Sequence, residues 1–226
     1  MSNSSLVNYT KISPNKTVRQ GKISKITIHH MAGNYTVEKC GDIFAPTTRQ
    51  ASSNYGIGTD GRVGMYVPED YRSWASSNAD NDHMAITIEV ANDQVGGNWH
   101  VSDKALAKLI DLCVDICKRN GIEKLNFTGN KNGNLTMHKY FAATACPGPY
   151  LESKFPYIAN EVNKRLAEKK EPIPELTTAN DIVWELGHRG LVTDTKGMLE
   201  EMNENPNGRL YWLARKMLNY IRQKGI

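Results

Sequence analysis

The stretch MAITIEVA, residues 84–91, decides the fold class of this chain. It is the most continuous apolar strand-like run in the sequence, which predicts a strand buried near the centre of a sheet. A second strand is expected over residues 23–30, which are rich in isoleucine, and a third over residues 134–138. Residues 55–67 predict a hairpin, because Asp60-Gly61 supplies the positive-φ residues that a tight turn needs.

Helical patterns separate these strands. Residues 36–45 predict a short helix capped by Thr36, and residues 103–119 predict the clearest helix, with Ser102 as its N-cap and a regular apolar stripe. Another helix is expected from Pro149 to about Lys169. Strands that alternate with helices predict an α/β fold, here a mixed central β-sheet flanked by helices.

Composition sets the outer limits of function. The chain has 226 residues with 39% hydrophobic and 23% charged residues, which is typical of a folded protein. Its net charge of +4 is too small to predict nucleic acid as a partner, yet it is compatible with an anionic surface such as a bacterial wall. No apolar run approaches the length of a membrane span. The first residues lack the pattern of a secretory signal, so we expect synthesis in the cytoplasm.

Three segments are expected along the chain. Residues 1–168 hold the alternating strands and helices, and residues 169–179 are charged, contain two prolines and predict a linker. Residues 180–226 predict a small all-α module of three helices, the first capped by Asn180 or Asp181. Trp184 and Trp212 of this module are candidates for its core.

Cysteine placement argues against a disulfide framework. Cys113 and Cys117 lie four residues apart in the apolar stripe of the long predicted helix, and Cys40 lies in the short one. These three are expected to be small buried thiols. Cys146 differs, because it opens the turn sequence Cys-Pro-Gly-Pro.

Two histidines and this cysteine are candidate metal ligands. His29 ends the strand sequence Ile-Thr-Ile-His, and His138 precedes Cys146 by eight residues. Three such ligands without a fourth nearby are typical of a catalytic zinc site with an open position. The alternative is two unrelated histidines and a buried thiol. His30 points away from His29 in a strand, so packing is its expected role.

The remaining histidines are weaker candidates. His83 and His100 are expected in loops, as solvent or groove residues. His188 lies in the helical module, where the sequence identifies no partner for it.

The motifs around the three ligands resemble those of the type 2 zinc amidases, the family that includes T7 lysozyme and the peptidoglycan recognition proteins. The resemblance rests on Ile26–His30, Asn54–Ile57, Asp60-Gly61, Ile86–Glu89 and the closing His138 to Gly148, in that order, and covers roughly residues 15–167. It implies a zinc site of His29, His138 and Cys146 and N-acetylmuramoyl-L-alanine amidase activity. The expected substrate is bacterial peptidoglycan, and the expected cofactor is Zn²⁺.

The resemblance also implies catalytic roles. Amidases similar in this strand carry a glutamate at the position of Glu89 and use it as the catalytic acid and base. The T7-like branch has a tyrosine and a lysine where this chain has Asn54 and Thr144, so that branch's mechanism does not transfer whole. Thr144 resembles the recognition-protein branch, in which a threonine helps to stabilise the oxyanion. Asn54, Trp74 and Trp99 are predicted to contact substrate, the tryptophans by stacking on sugar rings.

The biological role follows as a further expectation. The small C-terminal module is similar to helical wall-targeting modules, which predicts a phage endolysin that binds a cell-wall polymer and acts on the wall after release from the host. A helical tail that packs on the amidase or forms a dimer is the alternative for the module. For the whole chain, one alternative is a non-catalytic peptidoglycan-binding protein, although such proteins typically lack the cysteine ligand. The other is a zinc peptidase that cuts the stem peptide, although no His-Glu-x-x-His helix occurs here.

Overall fold

A computed structural model describes residues 2–167, 178–206 and 208–224. The chain divides into two compact units, Met1–Glu168 and Lys169–Ile226. The predicted linker lies outside the described residues except for Thr178 and Ala179.

The first unit is built on a mixed six-stranded sheet with flanking helices, which confirms the predicted fold class. Its strand order is β1-β5-β4-β7-β3-β8, and β2 and β6 form a separate two-stranded sheet. The strands are β1 (Tyr9–Thr10), β2 (Lys16–Val18), β3 (Lys25–His30), β4 (Tyr55–Ile57), β5 (Val63–Met65), β6 (Tyr71–Ser73), β7 (Ala85–Val90) and β8 (Leu135–Met137).

Strand β7 is central, as its sequence predicts. It pairs in parallel with β3 on one side and with β4 on the other. The β3–β7 register places His29 directly beside Glu89. Because side chains alternate along a strand, Thr27, His29, Thr87 and Glu89 share one face of the sheet. The hydroxyl groups of Thr27 and Thr136 lie 2.9 Å apart and continue this buried polar row onto β8.

The other face carries the main core. Ile26, Ile28, Ile86 and Ile88 are fully buried there, against α3 and α4. Helix α3 buries Leu109, Cys113, Ile116 and Cys117, which explains why its stripe was readable from sequence. The helices of this unit are α1 (Val37–Phe44), α2 (Ala79–Met84), α3 (Asp103–Asn120) and α4 (Pro149–Ala167).

Local signals set most of the element ends. The Thr36 and Ser102 side chains accept the N-capping hydrogen bonds of α1 and α3, as predicted. Gly121 ends α3 in the left-handed conformation. In the β4–β5 hairpin only Gly61 takes a positive φ, of 83°. Asp60 instead accepts a hydrogen bond from the Arg62 backbone N–H, so the expectation of two positive-φ residues is wrong.

The second unit contains α5 (Ala179–His188), α6 (Thr195–Glu204) and α7 (Arg209–Lys224), matching the three predicted helices. The cap of α5 is Thr178, which forms a capping box with Asp181; neither Asn180 nor Asp181 caps the helix. The core of the unit is formed by Ala179, Ile182, Val183, Leu186, Met202, Ala214 and Leu218. Trp184 and Trp212 are exposed, so the prediction that they are core residues is wrong. Among the described residues, no helix is long and apolar enough to cross a membrane.

Candidate metal centre and active site

Three separate segments bring His29, His138 and Cys146 together. His29 stands near the end of β3, His138 begins the turn that follows β8, and Cys146 lies in the loop before α4. One ligand atom from each lies within 4.8 Å of the others, and the two imidazole rings are 4.7 Å apart. Because β3 and β8 are parallel neighbours, both strands end at the same edge of the sheet, where the two histidines meet.

The donor atoms of this cluster fit a metal ion. The Nε2 atoms of His29 and His138 are buried and have no hydrogen-bond partner in the part of the chain that the structure describes. Such orphaned nitrogens are rare unless a ligand completes them. Burial, and then the neighbouring His138, hold the pKa of His29 well below its usual value, which keeps the ring neutral as a metal ligand must be.

The Cys146 thiol completes the cluster. Its Sγ accepts a hydrogen bond of 3.4 Å from the backbone N–H of His30. Burial raises the pKa of this thiol far above the usual range, and the nearby Glu89 raises it further. A thiolate at this position therefore needs a cation beside it, which a bound metal would provide.

Glu89 lies next to the cluster. Its Oε1 is 4.0 Å from Nδ1 of His29, and its side chain is only 16% exposed. Oε2 is buried and without a hydrogen-bond partner among the described residues. Burial raises the pKa of Glu89 to about 8, although Arg49 opposes the shift. This carboxyl can therefore hold a proton near neutral pH and can also lose one.

An open cavity of about 520 Å³ connects these groups to solvent. The three candidate ligands and Glu89 lie in its wall together with Thr144, whose hydroxyl oxygen accepts a hydrogen bond of 3.2 Å from the Cys146 backbone N–H. That bond uses an acceptor site of the hydroxyl group and leaves its proton available for donation into the cavity.

A family comparison agrees with this geometry. The model of the N-acetylmuramoyl-L-alanine amidase family matches residues 19–149, which is more than half of the chain. This chain belongs to that amidase family. The matched stretch contains the three cluster residues, Glu89 and Thr144.

Solved structures show the same fold. The amidase resembles PlyL, with 16% identity and a TM-score of 0.55 over 69% of this chain and 96% of that chain. For the catalytic domain of PlyG the identity is 16% and the TM-score 0.55, over 73% and 98% of the two chains. A mutant endolysin from Bacillus subtilis gives 20% identity and a TM-score of 0.53, over 69% and 99%. No curated protein matches the chain.

Of the three residues predicted to contact substrate in this amidase, one lines the cavity and two do not. Trp74 lines the cavity, and its indole N–H donates to the Thr17 hydroxyl at 3.0 Å. Trp99 does not line it but packs edge-on against the His30 ring, with centroids 5.2 Å apart.

Asn54 is fully buried away from the cavity. Its Oδ1 accepts from the Thr87 backbone N–H at 3.2 Å, and its Nδ2 donates to the Val67 carbonyl at 3.1 Å. Asn54 therefore links β4 to its neighbours, and the structure does not support a substrate contact for it.

The other histidines of the amidase are packed or paired. His30 packs against Trp99, as predicted, although part of it also reaches the cavity. His83 lies in α2, where a loop was predicted, and its Nδ1 accepts from the Gln20 backbone N–H. His100 pairs with Asp93 at 2.7 Å. His188 stacks on Trp184, with ring centroids 5.0 Å apart.

Arg49 is a cavity residue that the sequence did not reveal. It ends a short 3₁₀ turn after α1 and is the one lysine or arginine among the described residues that line the cavity. No motif contains it, and an arginine in a loop is usually solvated, so only the folded chain shows that its charge acts on Glu89.

Proposed function

We propose that this amidase is a zinc enzyme that hydrolyses the amide between N-acetylmuramic acid and L-alanine in bacterial peptidoglycan. The observation that carries the proposal is the assembly of His29, His138 and Cys146 within 4.8 Å of one another, with Glu89 beside them, in the wall of an open cavity. Family membership supports the bond that is cut.

Zinc is the metal that we propose for the cluster. Two imidazoles and one thiolate are borderline and soft donors, a set that suits zinc and not magnesium or calcium. His29, His138 and Cys146 would hold the ion and leave a position open toward the cavity. When bound, zinc supplies a Lewis acid for the scissile carbonyl and lowers the pKa of its bound water.

Glu89 is the proposed proton carrier. As a carboxylate it takes the proton of the attacking water, and as a carboxylic acid it gives that proton to the amine that leaves as L-alanine. Its raised pKa of about 8 suits both roles, because general acid–base catalysis works best when the pKa is close to the operating pH. The apolar strand that carries Glu89 fixes it beside His29.

Thr144 is the proposed hydrogen-bond donor to the oxyanion that forms when the amide carbonyl is attacked. Its hydroxyl group lies in the cavity wall, two residues before Cys146. A neutral hydroxyl group stabilises a developing negative charge less than a lysine would. We therefore assign the larger catalytic contribution to Glu89.

Product analysis tests the reaction. Purified peptidoglycan is digested with the wild-type chain, and the fragments are characterised by mass spectrometry and N-terminal analysis. New N-terminal L-alanine without new reducing sugars is the expected result. New reducing ends would indicate a glycosidase, and cleavage within the stem peptide would indicate a peptidase. Intact walls with bound protein would indicate a binding protein. Each of these three results would refute the proposal.

The wider role that we propose is that of a phage endolysin whose helical unit binds the cell wall. The support is a second folded unit with aromatic side chains exposed on its surface. Purified chain added to a suspension of susceptible Gram-positive cells is expected to lower the turbidity. A variant that ends at residue 168 is expected to lower the turbidity less. The same variant is expected to keep its activity on soluble muropeptides.

A further inference from the structure

Helix α7 exposes an unusual combination of aromatic and basic side chains. Its buried side carries Ala214 and Leu218, which pack in the core of the helical unit. On the other side Trp212 is 54% exposed and Tyr220 is 57% exposed. We name this side the outer face of α7; it consists of Trp212, Leu213, Lys216, Met217, Tyr220 and Lys224, all exposed.

The cations of this face are arranged over its rings. Nζ of Lys216 lies 4.3 Å from the centre of the Trp212 ring, and Nζ of Lys224 lies 5.8 Å from that of Tyr220. Such pairs hold an ammonium group beside an aromatic surface while both stay open to solvent. The two pairs repeat at a spacing of eight residues, a little more than two helical turns, so they lie on the same side of the helix as a row that is offset by about 80° around its axis.

The charged residues of α7 are all basic. Helix α7 has no acidic residue, whereas it has Arg209, Arg215, Lys216, Arg222 and Lys224. Arg222 is paired with Glu185 of α5, but Lys216 and Lys224 are placed on the outer face itself. An exposed apolar patch rimmed by one sign of charge is typical of a surface that binds a partner of opposite charge.

We infer that the outer face of α7 binds a phosphate-bearing carbohydrate or polyol polymer of the bacterial wall. Sugar and polyol C–H groups stack on the Trp212 and Tyr220 rings, and the phosphate groups pair with Lys216 and Lys224. This inference rests on the proposed role at the wall and specifies the ligand of the helical unit.

Self-association is disfavoured by the same charges. In a symmetric dimer that paired the outer face with itself, the lysines of two copies would face each other. Like charges at a contact oppose binding, and the exposed apolar side chains are interrupted by Lys216. A polyanion, in contrast, neutralises the row along its length.

The test measures binding of the full chain to Gram-positive walls by co-sedimentation. Walls are used before and after hydrofluoric acid treatment, which removes phosphodiester-linked polymers and leaves peptidoglycan. All chains carry Glu89→Gln to prevent digestion. We expect binding to intact walls, at least about fivefold weaker binding to treated walls, and weakening by added salt.

Matched variants locate the site. Trp212→Ala and Lys216→Glu are each expected to weaken binding to intact walls by about fivefold to tenfold, because each removes one member of a cation–aromatic pair. Lys196→Glu makes the same charge change on α6, at a side chain that is 89% exposed, and is expected to leave binding unchanged. Helical content measured by circular dichroism checks that the variants are folded.

Several results would overturn the inference. The first is equal binding to treated and intact walls, and the second is an equal loss of wall binding in Lys196→Glu and Lys216→Glu. The third is a wild-type dimer that Trp212→Ala dissociates. The fourth is binding of double-stranded DNA that is as tight as wall binding at the same phosphate concentration. Absence of wall binding would overturn it as well. The amidase proposal would survive all of these if the chain without Glu89→Gln still releases L-alanine termini from soluble muropeptides.

Discussion

At the scale of single residues, Glu89 has an unusual environment for a carboxyl group. Its side chain is mostly buried in the wall of the cavity, its pKa is raised, and its Oε1 lies 4.0 Å from a candidate metal ligand. These conditions are costly for a carboxylate with only a structural role, and they are typical of groups that move protons.

Replacing Glu89 tests this role. Glu89→Gln keeps the shape of the side chain but removes the titrating proton, so kcat on muropeptides should fall by about 10²- to 10⁴-fold. Zinc content should stay at the wild-type value, because Glu89 is not among the proposed ligands. Activity within about a factor of three of wild type would show that another group carries the proton.

Thr144 provides a second prediction at this scale. Thr144→Val removes the hydroxyl proton at nearly constant volume and should lower kcat by about tenfold or more, with little change in KM. Thr144→Ser should restore most of the activity. If valine and serine behave alike, the hydroxyl group does not stabilise the oxyanion.

Some residues in and around the site could be identified from the sequence, and others could not. His29, His138, Cys146 and Glu89 carry motif or strand patterns, and the fold brings them together. The buried position of Asn54 could not be predicted, because its partners, the Thr87 and Val67 backbones, are known only once the strands pair. Arg49 was missed because nothing local distinguishes it from a solvated loop arginine.

At the scale of elements, the turn that carries Cys146 depends on a close approach of two chain segments. Gly148 has a φ of 84°. A Cβ atom added there would lie 3.2 Å from atoms of the His30 ring and 3.2 Å from the Cβ of Trp99. A side chain at this position would therefore require the loop, the His30 ring or Trp99 to shift by a few tenths of an ångström.

Gly148→Ala should consequently lower both stability and metal affinity. The positive φ and the contact together should cost about 1–3 kcal/mol of unfolding free energy, measured by urea denaturation. Gly96→Ala is the matched control, since Gly96 has a φ of 87° but nothing within 4 Å of an added Cβ. The two variants should share the backbone cost, and only Gly148→Ala should release zinc more easily to a chelator. Equal zinc retention in both would argue against a positioning role for this turn.

Element prediction succeeded where the local signal was strong. Helices α3 and α7 were found because their apolar residues repeat at helical spacing. Strand β7 was found as a continuous apolar run, β3 from its isoleucines, and α1 from its Thr36 cap. Strands β1, β2 and β6 are two or three residues long, too short to show a repeat, and α2 spans only Ala79–Met84. The exposure of Trp212 could not be read from sequence, since a helix of this small unit has more apolar residues than its core can bury.

At the scale of the whole molecule, binding of the proposed metal would be coupled to the stability of the first unit. The proposed ligands come from β3, from the turn after β8 and from the loop before α4, so a bound ion joins segments that are far apart in the chain. An ion that binds only the folded state stabilises it, and the stabilisation grows with the logarithm of the free ion concentration once that exceeds the dissociation constant.

Metal removal should therefore act on one unit only. Dialysis against a chelator should lower the melting temperature of residues 1–168, and added zinc should restore it. The helical unit holds no cluster of this kind among its described residues, so its unfolding should be unaffected. Calorimetry of the full chain with and without chelator checks this. Equal shifts in both transitions, or none, would contradict the placement of the metal.

Cys146 is the proposed zinc ligand on which the mechanism of this amidase depends, and metal analysis of one pair of variants tests that assignment. Cys40 is the control, because it is a second thiol in the wall of the same cavity but is not part of the three-residue cluster. After extensive dialysis, the wild-type chain and Cys40→Ser should each retain about one zinc ion per chain, and Cys146→Ser should retain almost none and be inactive. Full zinc occupancy in Cys146→Ser would show that Cys146 is not a ligand.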